Sequence, residues 1–127
     1  MAPDTVDEQI LELLQANGRL TYKEIASHLG VSSVTILNRI KRLEKENIIK
    51  GYTTLIDTEK LGLLEAIIYL KASQSISHPS IIRKLETTGD YNLILFVQCK
   101  GKKELNDLAN NLRAKADDLK VDMILNG

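Results

Sequence analysis

The chain has no tryptophan, one phenylalanine, one cysteine and no net charge across its 127 residues. Each shortage excludes something. With so few large aromatics the core must be aliphatic, and a hydrophobic content of 43% is enough to build one. A lone cysteine, Cys99, allows neither an internal disulfide nor a thiolate-rich metal site. Its setting, LILFVQC, suits a small buried thiol. No apolar run is long enough to span a bilayer, and the N-terminus is acidic rather than signal-like, so a cytoplasmic protein with no membrane partner is expected. Because acidic and basic residues number 17 each, no global field draws the chain to nucleic acid. Any such attraction has to be local.

A local arrangement of that kind is present. Thr21 to Leu43, TYKEIASHLGVSSVTILNRIKRL, reads as two short helices joined by a tight turn. Ala26 is small enough to let the helices approach. Gly30, four residues on, supplies the left-handed conformation that ends the first of them. Thr21 with Glu24 forms a capping box, and Ser32 can cap the second helix. Ile25, Leu29, Val31, Ile36, Ile40 and Leu43 recur at helical spacing and close a miniature core. That pattern is a helix-turn-helix. Around the second helix, Arg39, Lys41, Arg42, Lys45 and Lys50 outnumber Glu44 and Glu46, which is a phosphate footprint in miniature.

The expected DNA contacts follow from position. Ser32 and Ser33 approach the groove at a helix N-terminus, whose free N–H groups favour phosphate. Val34, Leu37 and Asn38, with Thr35 beside them, are candidates for base edges: apolar side chains meet thymine methyls, and Asn can pair bidentately with adenine. Arg39, Lys41 and Arg42 are expected on phosphates, helped by Tyr22 and Lys23 from the preceding helix.

Around this motif, Thr5 with Glu8 suggests a capping box opening a supporting helix with Val6, Ile10, Leu13 and Leu14 on one face, ended by Asn17-Gly18. After the recognition helix, Asn47 breaks the pattern and IIKGYTTLI suggests a short wing or connecting strand. The polar segment from Asp57 to Gly62 marks a domain boundary, giving residues 1–59 and 60–127. The second half predicts strands at 66–73 and 92–99, a helix over 102–118, and a strand at 121–125. Strands with one amphipathic helix imply an α+β arrangement.

The chain resembles the leucine-responsive and asparagine-synthase-C regulators, also called feast/famine regulatory proteins. The resemblance rests on DEQILELLQANGRLTYKEIASHLGVS, on TILNRIKRLEKENIIKGYTTLID, and on TGDYNL from Thr88 to Leu93. It implies an N-terminal winged-helix domain that binds double-stranded DNA and a ferredoxin-like βαββαβ module that forms dimers or larger rings. It also implies amino-acid binding near the turn Thr88-Gly89-Asp90-Tyr91-Asn92, where Asp90 is retained and Asn92 stands in place of a common aspartate. One departure is evident. Only Gln74 to Thr87 lies between the first strand and that turn, room for one element rather than a helix and a strand. The sequence favours a short helix over 78–87, which leaves a truncated three-stranded sheet with a bare edge along 92–99. Gly-Asp also suits a turn that binds nothing, and the sequence leans to that second reading.

No enzyme constellation stands out. His28 and His78 have no second ligand at metal spacing, so neither a metal nor a cofactor is expected. Asp117-Asp118 reads as a solvated helix end. Some enzymes of tetrapyrrole metabolism resemble this family in architecture, but they would not need a basic recognition helix. An architectural or protein-binding winged helix is the other alternative. The preferred reading is a transcriptional regulator that acts as a dimer or higher oligomer, pairs its sheets through Ile67, Tyr69, Ile94 and Phe96 on one face or through the sheet edge, and recognises a pseudo-palindromic operator.

Overall fold

The computed structural model describes residues 2–125, which form two compact units meeting between Leu55 and Ile56. The first holds α1 (Thr5–Ala16), α2 (Tyr22–Leu29) and α3 (Ser33–Lys45). Its three helices close on Ile10, Ile25, Ala26, Ile36, Ile40 and Leu43, all buried. Caps set the boundaries. Thr21 Oγ1 accepts from Glu24 N and Glu24 Oε1 accepts from Thr21 N, each at 3.1 Å. Gly30 sits at φ 68°, and the Val31 amide reaches back to Ala26 O at 3.2 Å. Ser32 Oγ accepts from Thr35 N at 3.1 Å. These ends are written in the sequence and form where it places them.

Two expectations in this unit are corrected. The cap of α1 is Asp4 with Asp7, not Thr5 with Glu8: Asp4 Oδ1 accepts from Asp7 N at 2.9 Å and Asp7 Oδ2 accepts from Asp4 N at 3.1 Å. Both residue pairs have the spacing. Asp4 and Asp7 win because their carboxylates also meet arginines from α3. The wing strand is absent from residues 48–57 of this chain. Instead Asn47 takes φ 56°, and the Ile48 and Ile49 amides both bond to Leu43 O, closing the end of α3.

The second unit is a four-stranded antiparallel sheet in the order β2-β3-β1-β4, covered on one face by α4. Its strands are β1 (Leu64–Lys71), β2 (Ile81–Glu86), β3 (Leu93–Cys99) and β4 (Asp118–Met123), and α4 runs from Lys102 to Arg113. Alternation sorts the faces. Ala66, Ile68, Leu70, Leu93, Leu95, Val97 and Cys99 point inward onto Leu105, Leu108 and Leu112. On the other face Ile67 stands opposite Phe96 and Tyr69 opposite Ile94, all half-buried.

Here the sequence reading fails at residues 78–87. The segment is strand β2, not a helix, so β3 has no bare edge and the element that the shortened connection omits is the helix. The reason is non-local. An apolar edge on β3 leaves amides and carbonyls unpaired, and Ile81 to Glu86 satisfies them by pairing with Val97 to Leu93. His78-Pro79 starts the turn into it, with Ile81 N on His78 O at 3.0 Å and a bulge that leaves Ile82 exposed. Helix α4 also stops at Arg113 rather than at residue 118. There Lys115 N bonds to Leu112 O and Asp117 N to Lys71 O, so β1 draws the chain into β4 three residues earlier than expected.

Candidate nucleic-acid interface and effector turn

On α3, Ile36, Ile40 and Leu43 define a buried stripe. At 3.6 residues per turn the opposite side carries Val34, Asn38, Lys41 and Lys45. All four are exposed, Val34 at 63% of its surface. A branched apolar side chain held out in water, in line with an amide and two ammonium groups, suits contact with base edges and phosphates. Leu37 and Thr35 flank the stripe half-buried, and Ser33 is exposed at the first turn. The Ser32 and Thr35 hydroxyls lie 2.8 Å apart and share the cap. Tyr22 and Lys23 are exposed at the start of α2, Tyr22 at 41%. Lys45, part of the basic surplus around this helix, joins the stripe through its spacing of four from Lys41.

Arg39 and Arg42 have a different occupation from the phosphate contacts expected of them. Arg39 Nη1 donates to Asp4 and lies 3.4 Å from Asp7, and Arg42 Nη2 donates to Asp7. The Asp7 side chain is fully buried, whereas each arginine keeps 28% of its side-chain surface and Asp4 keeps 51%. The Arg39 guanidinium, helped by the Asp7 amide, pulls the Asp4 carboxyl down from 3.8 to about 2. The start of α1 and the second half of α3 are thereby pinned by charge as well as by the apolar core. The sequence carried a faint signal, acidic residues three apart on one helix and arginines three apart on another, but nothing in it said that they face each other.

In the second unit, Thr88 to Asn92 form the turn of the β2–β3 hairpin. Thr87 N donates to Asn92 O at 2.9 Å, and Thr87 Oγ1 donates to Tyr91 O at 2.6 Å. Tyr91 Oη donates to Asp118 at 3.2 Å, and loss of solvation together with that carboxylate raises the phenol. Asn92 is spent on the fold: Oδ1 accepts from Ala72 N at 2.9 Å while Nδ2 donates to Ala72 O at 2.7 Å. An aspartate has no donor for that carbonyl. Gly89 does not take a left-handed conformation, and an added Cβ would come no nearer than 3.7 Å to Thr87 Oγ1. Thr88 and Asp90 are exposed beside it. Next to the turn, a cleft of about 670 Å³ opens between the 72–76 connection and β2. Lys84 leans over it to donate to Ile76 O at 2.8 Å.

Residues 3–50 match the family model for winged helix-turn-helix DNA-binding domains. The HTH-type transcriptional regulator FL11 of Pyrococcus furiosus is 35% identical over 114 residues, covering 82% of this chain and 76% of that protein. The crystal structure of PH0061 superimposes with a TM-score of 0.85 at 27% identity, covering 100% of this chain and 95% of the other. LrpC of Bacillus subtilis shares the fold, with a TM-score of 0.79 at 23% identity over 100% and 97% of the two chains. With a helix-turn-helix that exposes one stripe of α3, a ferredoxin-like sheet after it in the chain and relatives that are regulators, this protein belongs to the leucine-responsive/asparagine-synthase-C family of DNA-binding transcriptional regulators.

Proposed function

We propose that the protein is a sequence-specific regulator that acts as a homodimer, in the cytoplasm with the DNA it reads, and performs no catalysis. The observation that supports this best is the exposed stripe Val34–Asn38–Lys41–Lys45 opposite a fully buried one. In this reading Val34, Leu37 and Asn38 meet base edges in the major groove. Lys41 and Lys45 hold phosphates, with Ser33, Tyr22 and Lys23 at the flanks. Ser32 and Thr35 serve the groove through the helix end that they cap.

The dimer is proposed to form through the other face of the sheet. Ile67, Tyr69, Ile94 and Phe96 lie there on the face opposite the one that α4 covers. Two heads related by a two-fold axis then read half-sites about one helical turn apart. Selection of bound duplexes from a random pool, followed by footprinting, tests the proposal. A pseudo-palindromic site with discrete protection supports it, and uniform coverage assigns an architectural role instead. Thermal-shift measurements with the common amino acids decide the function of the Thr88–Asn92 turn. Stabilisation that disappears in Asp90→Ala makes the turn an effector site, and no shift makes it a hairpin closure alone.

A further inference from the structure

The two arginines on the flank of α3 are held very differently. The partner of Arg42 is the Asp7 carboxylate, which has no exposed surface, so a competing anion cannot reach it. The nearest partner of Arg39 is Asp4, whose side chain is half in water. Asp7 lies further from Arg39, at 3.4 Å. Breaking the first pair would strand a buried charge, which is costly. Breaking the second exposes two groups that water already reaches, and an exposed ion pair contributes little. Arg39 is also one residue from Asn38 on the reading stripe, on a long, flexible stem.

We propose that Asp4 is a resident stand-in for a DNA phosphate. In the free protein it holds Arg39, and on DNA the guanidinium exchanges onto the backbone while Arg42 stays on Asp7. This rests on the reading that α3 faces DNA, and it adds a residue outside the helix-turn-helix that sets affinity. The exchange conserves charge: one carboxylate contact is given up, and one phosphate contact is made with release of its counterion. Asp4 thus acts as a built-in competitor, keeping Arg39 from carrying the free protein onto any duplex at full strength.

The test measures fluorescence anisotropy with a labelled random duplex, and with the selected operator once known, across a salt series. Asp4→Asn retains a capping oxygen for α1 and removes the charge. It should bind DNA about two- to fivefold more tightly with an unchanged salt slope, the equivalent of releasing one exposed ion pair. Glu8→Gln removes the same charge from the same helix at an exposed position with no arginine ion pair among the described residues. It should gain less. Arg39→Gln should flatten the log–log salt slope by about 0.9, one phosphate fewer, while Arg39→Lys restores it. In an Arg39→Gln background, Asp4→Asn should gain no more than Glu8→Gln. An Arg39→Gln slope equal to the wild type, or an Asp4→Asn gain no larger than that of Glu8→Gln, overturns the exchange while leaving DNA binding intact. A wild-type protein that binds no duplex at all removes the reading beneath it as well.

Discussion

The two units of this chain are held by different kinds of bond, and the difference decides which single change hurts each. In the N-terminal unit the element ends depend on contacts made within a few residues, and the apolar core and the ion pairs between α1 and α3 then join them. Its caps at Asp4, Thr21 and Ser32 and its left-handed Gly30 are local, while the Asp7–Arg42 pair reaches across 35 residues. In the C-terminal unit nearly everything that matters is distant: β1 sits between β3 and β4, and β2 takes its place only by pairing with β3. Local bonds make elements robust one at a time, whereas distant bonds make them conditional on one another.

The sharpest way to break that contrast is Asp7→Ala. It removes both ion pairs of the buried Asp7 carboxylate, to Arg42 and to Arg39, and leaves Arg39 only the exposed Asp4. We expect a loss of about 3 kcal/mol, near the low end for breaking a buried pair because the arginines remain partly solvated. Urea denaturation followed by helical circular dichroism measures it. A loss under 1 kcal/mol would show that the apolar core, with the exposed Asp4–Arg39 pair, suffices to pack α1 on α3 and that the buried carboxylate adds little.

Asn92→Asp examines the other side of the comparison with a smaller effect. The amide bonds both backbone groups of Ala72, tying the start of the shortened connection to the start of β3. A carboxylate keeps the bond from Ala72 N but turns an oxygen toward Ala72 O. A lost donor with an acceptor left facing an acceptor should cost about 0.5–1 kcal/mol at this exposed site. Hydrogen exchange should show it as reduced protection at the Ala72 amide. Unchanged exchange would mean that strand pairing, not this side chain, fixes the connection.

Legibility in the sequence divides along the same line. Thr21, Glu24, Gly30 and Ser32 announce their roles because the partners that each requires lie within four residues, and the helix-turn-helix follows from them. Ile81 and Ile82 carried a strand signal, but Arg83-Lys84-Leu85-Glu86 argued for a helix. Only the unpaired edge of β3, more than ten residues on, decides between them. The same holds within the candidate interface. Val34, Asn38 and Lys41 could be placed on an exposed face by spacing alone. That Arg39 and Arg42 turn toward α1 depends on Asp4 and Asp7, which a count of charges cannot pair with them. The Asn92 amide was visible as a departure from the family pattern, but its use awaited the position of Ala72.

The smallest expected effect isolates the exposed half of the arginine cluster, where protonation does what a mutation would. Asp4 has its carboxyl lowered from 3.8 to about 2 by Arg39. A depressed acid binds its proton more readily in the unfolded chain than in the folded one, so its contribution favours folding whenever the unfolded carboxylate is ionised. That contribution is complete above about pH 4, declines as the pH falls from there toward 2, and is gone below the folded value. Wild type and Asp4→Asn compared by denaturant unfolding at a series of pH values separate Asp4 from the other carboxylates, which titrate in both proteins. The wild type should be slightly the more stable at pH 7, and the gap should close as the pH falls through that window. Because asparagine keeps a capping oxygen, a gap that persists undiminished at pH 2 would mean that the two side chains differ in how well they fit the cap rather than in charge. Cap geometry would then account for the contribution of Asp4, and the buried Asp7 would carry the ionic tie between α1 and α3 among the described residues.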